Sequence, residues 1–306
     1  MSLFVDRTRL LPQTDPFSRQ IVVGCGAFLE LIAQSAPRLG RIAEITTWPE
    51  GAPGPVLDDR PFARVILRPD AAAQAGPLFE QIARRRTDKS PFRPDLPGDP
   101  AVHAVLAAAG GDGLVAGETR DPVLRNRLAD LCWKAWEIET GTPRTHLESV
   151  NLMRIGRAEV AADPDGIALT GGMMEVLAGS GLMTRKALSD PGSFASRSGA
   201  DMYQRMIRAT PGFLWIRSQT ADRTAQLAAG RAYARAQLTA AARGLVLHPW
   251  SMGLEEFPEM AGPYRAIQEA LGAAPEAPVQ MLVRIGLPRA PTKPSPRRRL
   301  DDLIEA

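Results

Sequence analysis

This 306-residue sequence has few of the residues that carry much of protein chemistry. It contains only two cysteines, Cys25 and Cys132, and three histidines, His103, His146 and His248. Two isolated cysteines form neither a disulfide framework nor a cysteine-rich zinc site, so the chain does not depend on an oxidising compartment. We expect these cysteines to be buried and the scattered histidines to be surface or packing residues rather than metal ligands.

Long apolar runs and a strong charge imbalance are also absent. No stretch approaches 18 uninterrupted apolar residues, and residues 1–10 have neither the apolar core nor the cleavage site of a secretory signal. The 37 basic and 34 acidic residues nearly balance, which is too weak an excess to indicate nucleic acid. We therefore expect a cytoplasmic protein with no membrane and no nucleic-acid partner.

Familiar catalytic motifs are missing as well. The sequence contains no G-x-S-x-G, H-E-x-x-H, C-x-x-C or Walker A motif, which removes the usual signals of hydrolases, zincins, dithiol enzymes and P-loop proteins. An enzyme with no nucleophile, metal or acid/base set of its own needs a cofactor to carry the chemistry.

What is present predicts a packed globular protein, with 44% apolar and 23% charged residues. Residue patterns predict a helix from Arg19 and further helices at 76–85, 100–109, 122–140 and 223–243. They predict a short strand within 3–12 and strands at 42–48, 63–69, 212–218 and 279–288. The stretch 142–210, with six methionines among glycine, serine and charged residues, is predicted to be an irregular, partly helical lid or insertion.

Two segments resemble each other and suggest an internal repeat. In each, an Ala/Leu-rich helix ends at a glycine, Gly40 or Gly244, and a strand with a basic residue follows, RVILRP or QMLVRIGLP. Aligning Gln20 with Gln226 places Gly24 on Gly230. The same match could arise from unrelated helices of similar composition.

The glycines in IVVGCGAF have two interpretations. A strand that ends in a glycine-rich turn before a helix binds dinucleotides, with Glu44 at the position of a ribose-binding acid. Leu29 occupies the third glycine position, however, and the corresponding segment LAAGRAYA has no strand character. We favour the alternative, in which Gly24 and Gly26 let a helix pack closely on another element.

Two basic runs also have two interpretations. RRRTDKSPF at 84–92 and SPRRRLDD at 295–302 supply guanidinium, hydroxyl and, in the first run, ammonium groups, the donors that a phosphate requires. Residue content alone fits solvated charge runs better.

Taken in order, the segments resemble those of the nitroreductase superfamily. The segments are DRTRLLPQTDPFSRQIVVGCGAFLELI, RRRTDKSPF, TPRTHLESVNLMRIG, AAGRAYARAQLTAAARGLVLHPWS, VQMLVRIGLP and SPRRRLDDLI. They cover nearly the whole chain and are most similar to the fused, double-domain Acg-type branch of these FMN-dependent flavoproteins. Their order and spacing carry the resemblance, since no single motif is specific.

The resemblance implies an α+β fold in which two related halves form an internal pseudo-dimer. The first half, 1–75, is truncated, and the second, 76–306, contains the insertion at about 142–210. FMN lies between the halves and passes a hydride from NAD(P)H to a quinone or nitroaromatic-like acceptor. This implies an NAD(P)H-dependent oxidoreductase that positions and polarises the flavin and needs no catalytic acid or base.

The resemblance also assigns cofactor-binding residues. The FMN phosphate and ribityl chain map onto Arg85, Arg86, Thr87 and Lys89, and a second phosphate contact maps onto Arg297. The loop beside the flavin ring maps onto His248, Pro249, Trp250 and Ser251. No metal site is implied.

One departure leaves an alternative open. Members of the branch carry a helix and an Asn-x-Gln-Pro-Trp segment upstream of DRTRLLP, where this sequence begins, and some carry an export signal there, which would make the protein periplasmic. The alternative is a flavin-free, nitroreductase-like binding or FMN-sequestering protein. A partner chain that fills the gap would form a homodimer, which the sequence leaves open.

Overall fold

A computed structural model describes residues 1–304; residues 305 and 306, the end of the expected second half, lie outside the described residues. The helices are α1 (Arg19–Ser35), α2 (Asp99–Ala109), α3 (Pro122–Gly141), α4 (Pro143–Asn151), α5 (Gly156–Ala162), α6 (Gly172–Gly179), α7 (Arg185–Ser189), α8 (Phe194–Arg208), α9 (Arg223–Ala242) and α10 (Ala261–Ala270). The strands are β1 (Ser2–Leu3), β2 (Arg41–Thr47), β3 (Ala63–Pro69), β4 (Leu114–Thr119), β5 (Met153–Ile155), β6 (Ile167–Leu169), β7 (Gly212–Ser218), β8 (Val246–Pro249) and β9 (Val279–Gly286). The predicted α+β class is confirmed.

Two antiparallel sheets share one strand order. The first sheet has the order β1-β3-β2, and the last three strands of the four-stranded sheet have the order β7-β9-β8, preceded by β4. Along the chain, the long helix α1 joins β1 to β2 in the first set, and α9 joins β7 to β8 in the second. The glycine that follows each helix, Gly40 or Gly244, has a positive φ of 63° or 69°. A residue with a Cβ is strained in that conformation, which explains the glycine that ends each helix segment.

The helices α1 and α9 pack against each other at two glycines. A Cβ on Gly26 would lie 2.0 Å from the Leu227 carbonyl oxygen, and one on Gly230 would lie 1.8 Å from that of Val23. Gly26 is therefore the counterpart of Gly230, and the predicted alignment of Gly24 with Gly230 is wrong. The short IVV segment is helical in α1, so the strand and glycine turn of a dinucleotide fold are absent there.

The four-stranded sheet is covered on both faces. One face packs with α2 and α9 in a core that contains Leu214, Ile216 and Val283. The other packs with α3, α8 and α10 around Phe213, Leu282 and Trp250. Burial of both faces explains why β7 and β9 read as nearly continuous apolar runs.

The stretch 142–210 is more regular than its composition predicts. It contains α4 to α8 and a two-stranded parallel sheet, β5-β6, which together enclose a small apolar cluster that includes Val150, Met183 and Leu188. Its partly helical character is confirmed; its description as an insertion or lid stays a prediction.

Two local predictions are wrong. The segment 76–85 forms only a 3-10 turn at Phe79–Gln81, and the Arg85 side chain at its end donates to Gln237 of α9. The strand predicted within 3–12 is limited to Ser2–Leu3, followed by a 3-10 turn at Arg7–Arg9.

One helical stretch, Arg19–Leu39, has the length and apolar content of a membrane span. Its residues Val22 and Leu29 are fully buried in a core cluster with Leu227 of α9. Such packing is typical of a core helix in a globular protein, and the predicted absence of a membrane partner stays a prediction.

Candidate functional site

A cavity of about 750 Å³ lies where α1, α9, the segment after β3 and the end of β8 meet. It draws residues from widely separated parts of the chain, so only the folded protein forms it. Seven residues that the sequence singles out for cofactor binding line it: Arg85, Thr87, Lys89, His248, Pro249, Trp250 and Ser251.

Arg85, Thr87 and Lys89 form one side of the cavity, called here the basic wall. The Arg85 guanidinium donates to Gln237 Oε1 at 3.0 Å, and Gln237 Nε2 donates to the Thr87 hydroxyl at 3.1 Å and to the Tyr233 hydroxyl at 3.0 Å. Helix α9 therefore holds the donors of the basic wall in place through one glutamine.

Arg85 is half-buried and Lys89 is exposed, and neither gains a hydrogen-bonded carboxylate partner among the described residues. Burial lowers the pKa of Arg85, and the neighbouring charges of Arg297 and Arg86 lower it further. The protein around Lys89, which lines the cavity, also lowers the pKa of its ammonium group by partial desolvation. A bound anion would reverse this loss, so the wall is suited to a phosphate group.

The end of β8 forms a second part of the cavity surface. Arg284 of β9 is fully buried and donates to His248 Nδ1 at 3.0 Å, to Thr210 Oγ1 at 2.8 Å and to the Ser90 carbonyl at 3.2 Å. Its guanidinium also lies 4.0 Å from the centre of the Phe92 ring. These contacts fix the orientation of the imidazole.

The protonation state of His248 follows from those contacts. Burial lowers the pKa of His248 well below 6.5, and the charges of Arg284 and Lys89 lower it further. Burial lowers the pKa of Arg284 to about 9, which leaves it charged at neutral pH. Because Arg284 donates to Nδ1, the neutral ring of His248 carries its proton on Nε2.

Two predicted residues lie apart from the cavity wall. Arg86 borders a smaller cavity of about 310 Å³ and donates to the carbonyls of Ala83 and Arg85. Arg297 is exposed and donates to the carbonyls of Ser295 and Pro296, although its charge reaches Arg85. The structure does not bring either side chain onto the basic wall.

Helix α1 supplies an apolar side of the cavity through Gly24, Ala27, Phe28 and Leu31. A Cβ built on Gly24 meets nothing within 4 Å, so this glycine leaves open space along the helix. A basic wall beside an apolar surface fits a ligand with an anionic end and a flat ring, as FMN has.

Several residues that line the cavity were not identified from the sequence, nor was Arg284, which supports His248 from behind the cavity. Tyr233 and Gln237 lie in an Ala-rich helix that gives no sign of which face meets a ligand. Arg284 had a usable signal, since a charge inside the apolar run VQMLVRIG is rare unless it has a polar partner. Glu139 and Glu255 also line the cavity, and nothing in their local sequence distinguishes them from solvated acids.

Curated proteins of similar sequence exist for this chain, although no protein-family model matches it. Two curated proteins of Mycobacterium tuberculosis, from the strains CDC 1551 and H37Rv, both named "Putative NAD(P)H nitroreductase", are 28% identical over 316 aligned residues, which cover 100% of this chain and 83% of each relative. The chain is thus nitroreductase-like over its full length, as the motif order predicted.

Two solved structures of low sequence identity are similar to part of this chain. Iodotyrosine deiodinase bound to FMN and 3-iodo-L-tyrosine is 14% identical with a TM-score of 0.44, covering 72% of this chain and 95% of its own. The FMN- and NADPH-dependent nitroreductase NfnB of Sphigopyxis sp. strain HMH is 19% identical with a TM-score of 0.44, covering 75% and 98%. The α+β class rests on the helices and sheets described above.

Proposed function

We propose that this protein is an FMN-dependent oxidoreductase of nitroreductase type, which transfers a hydride from NAD(P)H through the flavin to a quinone or nitroaromatic-like acceptor. The basic wall is the observation that carries this proposal, because it places three phosphate donors in a cavity whose neighbouring surface is apolar. The full-length similarity to curated proteins named as NAD(P)H nitroreductases supports the same activity.

In this proposal the basic wall holds the FMN phosphate. Arg85 and Lys89 neutralise its charge, and the Thr87 hydroxyl donates a third hydrogen bond. Arg297 adds a longer-range charge near Arg85. Arg86 stiffens the turn by donating to the carbonyls of Ala83 and Arg85, a supporting role rather than a direct contact.

The flavin ring would lie against Gly24 of α1 and the segment His248–Ser251. When bound, FMN would supply the two-electron chemistry between NAD(P)H and the acceptor. His248 presents its Nε2 proton as a fixed hydrogen-bond donor, because Arg284 occupies Nδ1. Trp250 is held by a hydrogen bond of 3.1 Å from its Nε1 to the Cys132 carbonyl, which keeps this surface rigid.

The shared strand order supports two related halves, 1–75 and 76–306, as the source of the cavity. Each half contributes one of the two helices that meet at Gly26 and Gly230, and both helices line the cavity. The segment 142–210, which contributes Ser149, Leu152 and Tyr203, would act as the lid. A cytoplasmic location follows from the NAD(P)H pool that such an enzyme needs.

Steady-state turnover tests the activity. Without oxygen, purified protein loaded with FMN should oxidise NADH or NADPH over many turnovers only when a benzoquinone or nitroarene is also present. Protein that binds FMN and shows no turnover with either nucleotide would instead be the flavin-sequestering alternative.

A further inference from the structure

The cavity is also lined by two buried carboxyl groups, Glu139 of α3 and Glu255, called here the carboxyl pair. Glu139 is 5% exposed and Glu255 is 8% exposed, yet both line the cavity. The Oε2 atom of each is buried and has no hydrogen-bond partner among residues 1–304. A buried polar atom without a partner is costly, so the pair is suited to a ligand or to a bound proton.

The neighbouring charged groups are already committed elsewhere. Glu148 accepts from the backbone N–H groups of Gln13 and Thr14 at 3.0 and 2.8 Å, and Asp15 accepts from those of Gln20 and Ile21 at 3.2 and 3.1 Å. Glu148 and Asp15 are therefore hydrogen-bonded carboxylates, which cannot donate a hydrogen bond to the carboxyl pair.

The nearest buried cation is also occupied. Arg19 pairs with Glu256 at 2.9 Å and donates to the carbonyls of Gln280 and Leu254. Its charge acts on Glu255 without a hydrogen bond to it. Tyr203, whose pKa burial raises to about 12, is a neutral neighbour. Glu255 is thus left without a salt-bridge partner within the described part of the chain.

The electrostatics assign the proton within the pair. Burial raises the pKa of Glu139, while a hydrogen bond of 2.7 Å from the Ser149 hydroxyl opposes the rise. Burial raises the pKa of Glu255 well above 4.5, and the charges of Glu139, Asp15 and Glu148 raise it further. The pKa of Glu255 is therefore raised more strongly than that of Glu139, which makes Glu255 the better placed of the two to hold a proton.

We propose that Glu255 is the proton donor of the cavity, which protonates the oxygen of a quinone-type acceptor as the acceptor takes up its hydride. A quinone needs one hydride and one proton to become a hydroquinone. The O–H bond of Glu255 breaks, a new O–H bond forms on the acceptor, and the hydride brings the electron pair. Glu255 is left as a carboxylate beside Glu139 and regains a proton from water. This inference rests on the proposed function for its substrate and goes beyond it in naming an acid.

A cation site is the competing use of two carboxyl groups. A metal would need further ligands, and no group of three or more His, Cys, Asp or Glu side chains is placed to hold one in the described part of the chain. An ionised pair that binds an organic cation remains an outcome of the test, because it predicts no protonated carboxyl group in the free protein.

Infrared spectroscopy of the protein without added ligands tests the proton directly. At neutral pH we expect the carbonyl stretch of a protonated carboxyl group, shifted in D₂O and absent in Glu255→Gln. Glu139→Gln should keep the band at neutral pH. The band should disappear at a lower pH than in the wild type, because the negative charge of Glu139 no longer raises the pKa of Glu255. Glu259→Gln is the matched control, since its exposed carboxylate pairs with Arg144 and its pKa is lowered to about 2. A spectrum without the band, or a band that Glu255→Gln leaves intact, overturns the proposal.

Rapid kinetics of the FMN-loaded protein then separate the two proposals. In Glu255→Gln, reoxidation by benzoquinone should slow by about 100-fold or more, the usual contribution of a positioned acid, while FMN affinity and reduction by NAD(P)H keep their wild-type values. Equal slowing of both half-reactions would contradict a proton donor. Failure of the wild-type protein to bind FMN would refute the proposed function and leave the infrared result to stand alone.

Discussion

The strand pairs β2-β3 and β8-β9 have the same layout but opposite surroundings. In the first pair Glu44 lies opposite Ile66, and in the second His248 occupies the place of Glu44 and Arg284 the place of Ile66. Ile66 is 46% exposed, whereas Arg284 is fully buried. One geometry therefore presents a solvated surface in one sheet and a cation-histidine pair behind a cavity in the other.

The difference follows from what covers each sheet. The three-stranded sheet packs α1 on one face and leaves the other face in solvent, so Glu44 pairs with Arg68 at the surface at 2.5 Å. The four-stranded sheet is buried on both faces, so a polar residue there must find partners inside the protein. Burial on both sides makes the second sheet the place where Arg284 can fix His248.

The largest effect is expected at the helix crossing that joins the two regions. Gly230→Val places methyl groups where the Val23 carbonyl lies 1.8 Å from a Cβ, which forces α1 and α9 apart. We expect a loss of about 3 kcal/mol or more in the free energy of unfolding, measured by urea denaturation. Gly24→Ala on α1 is the control, because its Cβ meets nothing within 4 Å. Equal midpoints for Gly230→Val and wild type would show that the crossing is not close-packed.

A smaller effect is expected when the buried cation is removed. Arg284→Met leaves His248 Nδ1 without its donor and removes a nearby positive charge, so the pKa of His248 should rise. We expect a net cost of about 1 to 3 kcal/mol from acceptors left unpaired. Titration of the histidine ring signals by NMR measures the pKa.

The pH dependence of stability gives the sign of the same effect. In the wild type the unfolded chain takes up a proton near pH 6.5 and the folded His248 does not, so stability falls as the pH drops below 6.5. In Arg284→Met this fall should be smaller, because the folded pKa is closer to the unfolded one. Arg68→Met on β3 should leave both the titration and the pH dependence unchanged, and a similar change in both variants would contradict the comparison.

The smallest effect is expected at the surface pair of the first sheet. Arg68→Gln removes an ion pair between two side chains that are 56% and 47% exposed. Water and salt screen such pairs, so the unfolding midpoint should not change measurably. A clear loss of stability would mean that the first sheet depends on its outer face.

The sequence predicts the framework better than the site. The helix bounds at 223–243 and the strand at 212–218 follow from composition and periodicity, because both elements are buried along a face. The predicted helix at 76–85 is only a 3-10 turn, and the Arg85 side chain at its end bonds Gln237, far along the chain. A contact of this kind is set by the fold and has no local signal.

The candidate site shows the same limit. Residue content alone favours a solvated charge run at 84–92, whereas the resemblance assigns phosphate contacts there, and Arg85, Thr87 and Lys89 line one cavity in the structure. Adjacent Arg86 has the same residue type but borders the smaller cavity and donates to the carbonyls of Ala83 and Arg85. Glu255 is one acid in a run of two, and only the fold shows that it is buried beside Glu139 while Glu256 pairs with Arg19.

FMN titration of the purified protein, followed by flavin fluorescence, tests the central claim most directly. We predict saturable binding of FMN at micromolar concentration, weakened about 5- to 150-fold in Arg85→Ala, which corresponds to roughly 1 to 3 kcal/mol for a charge-assisted hydrogen bond. Arg297→Ala should weaken binding less, and Arg84→Ala, which borders the smaller cavity, should not weaken it. A colourless protein that binds no FMN, or an Arg85→Ala variant with wild-type affinity, would contradict the account.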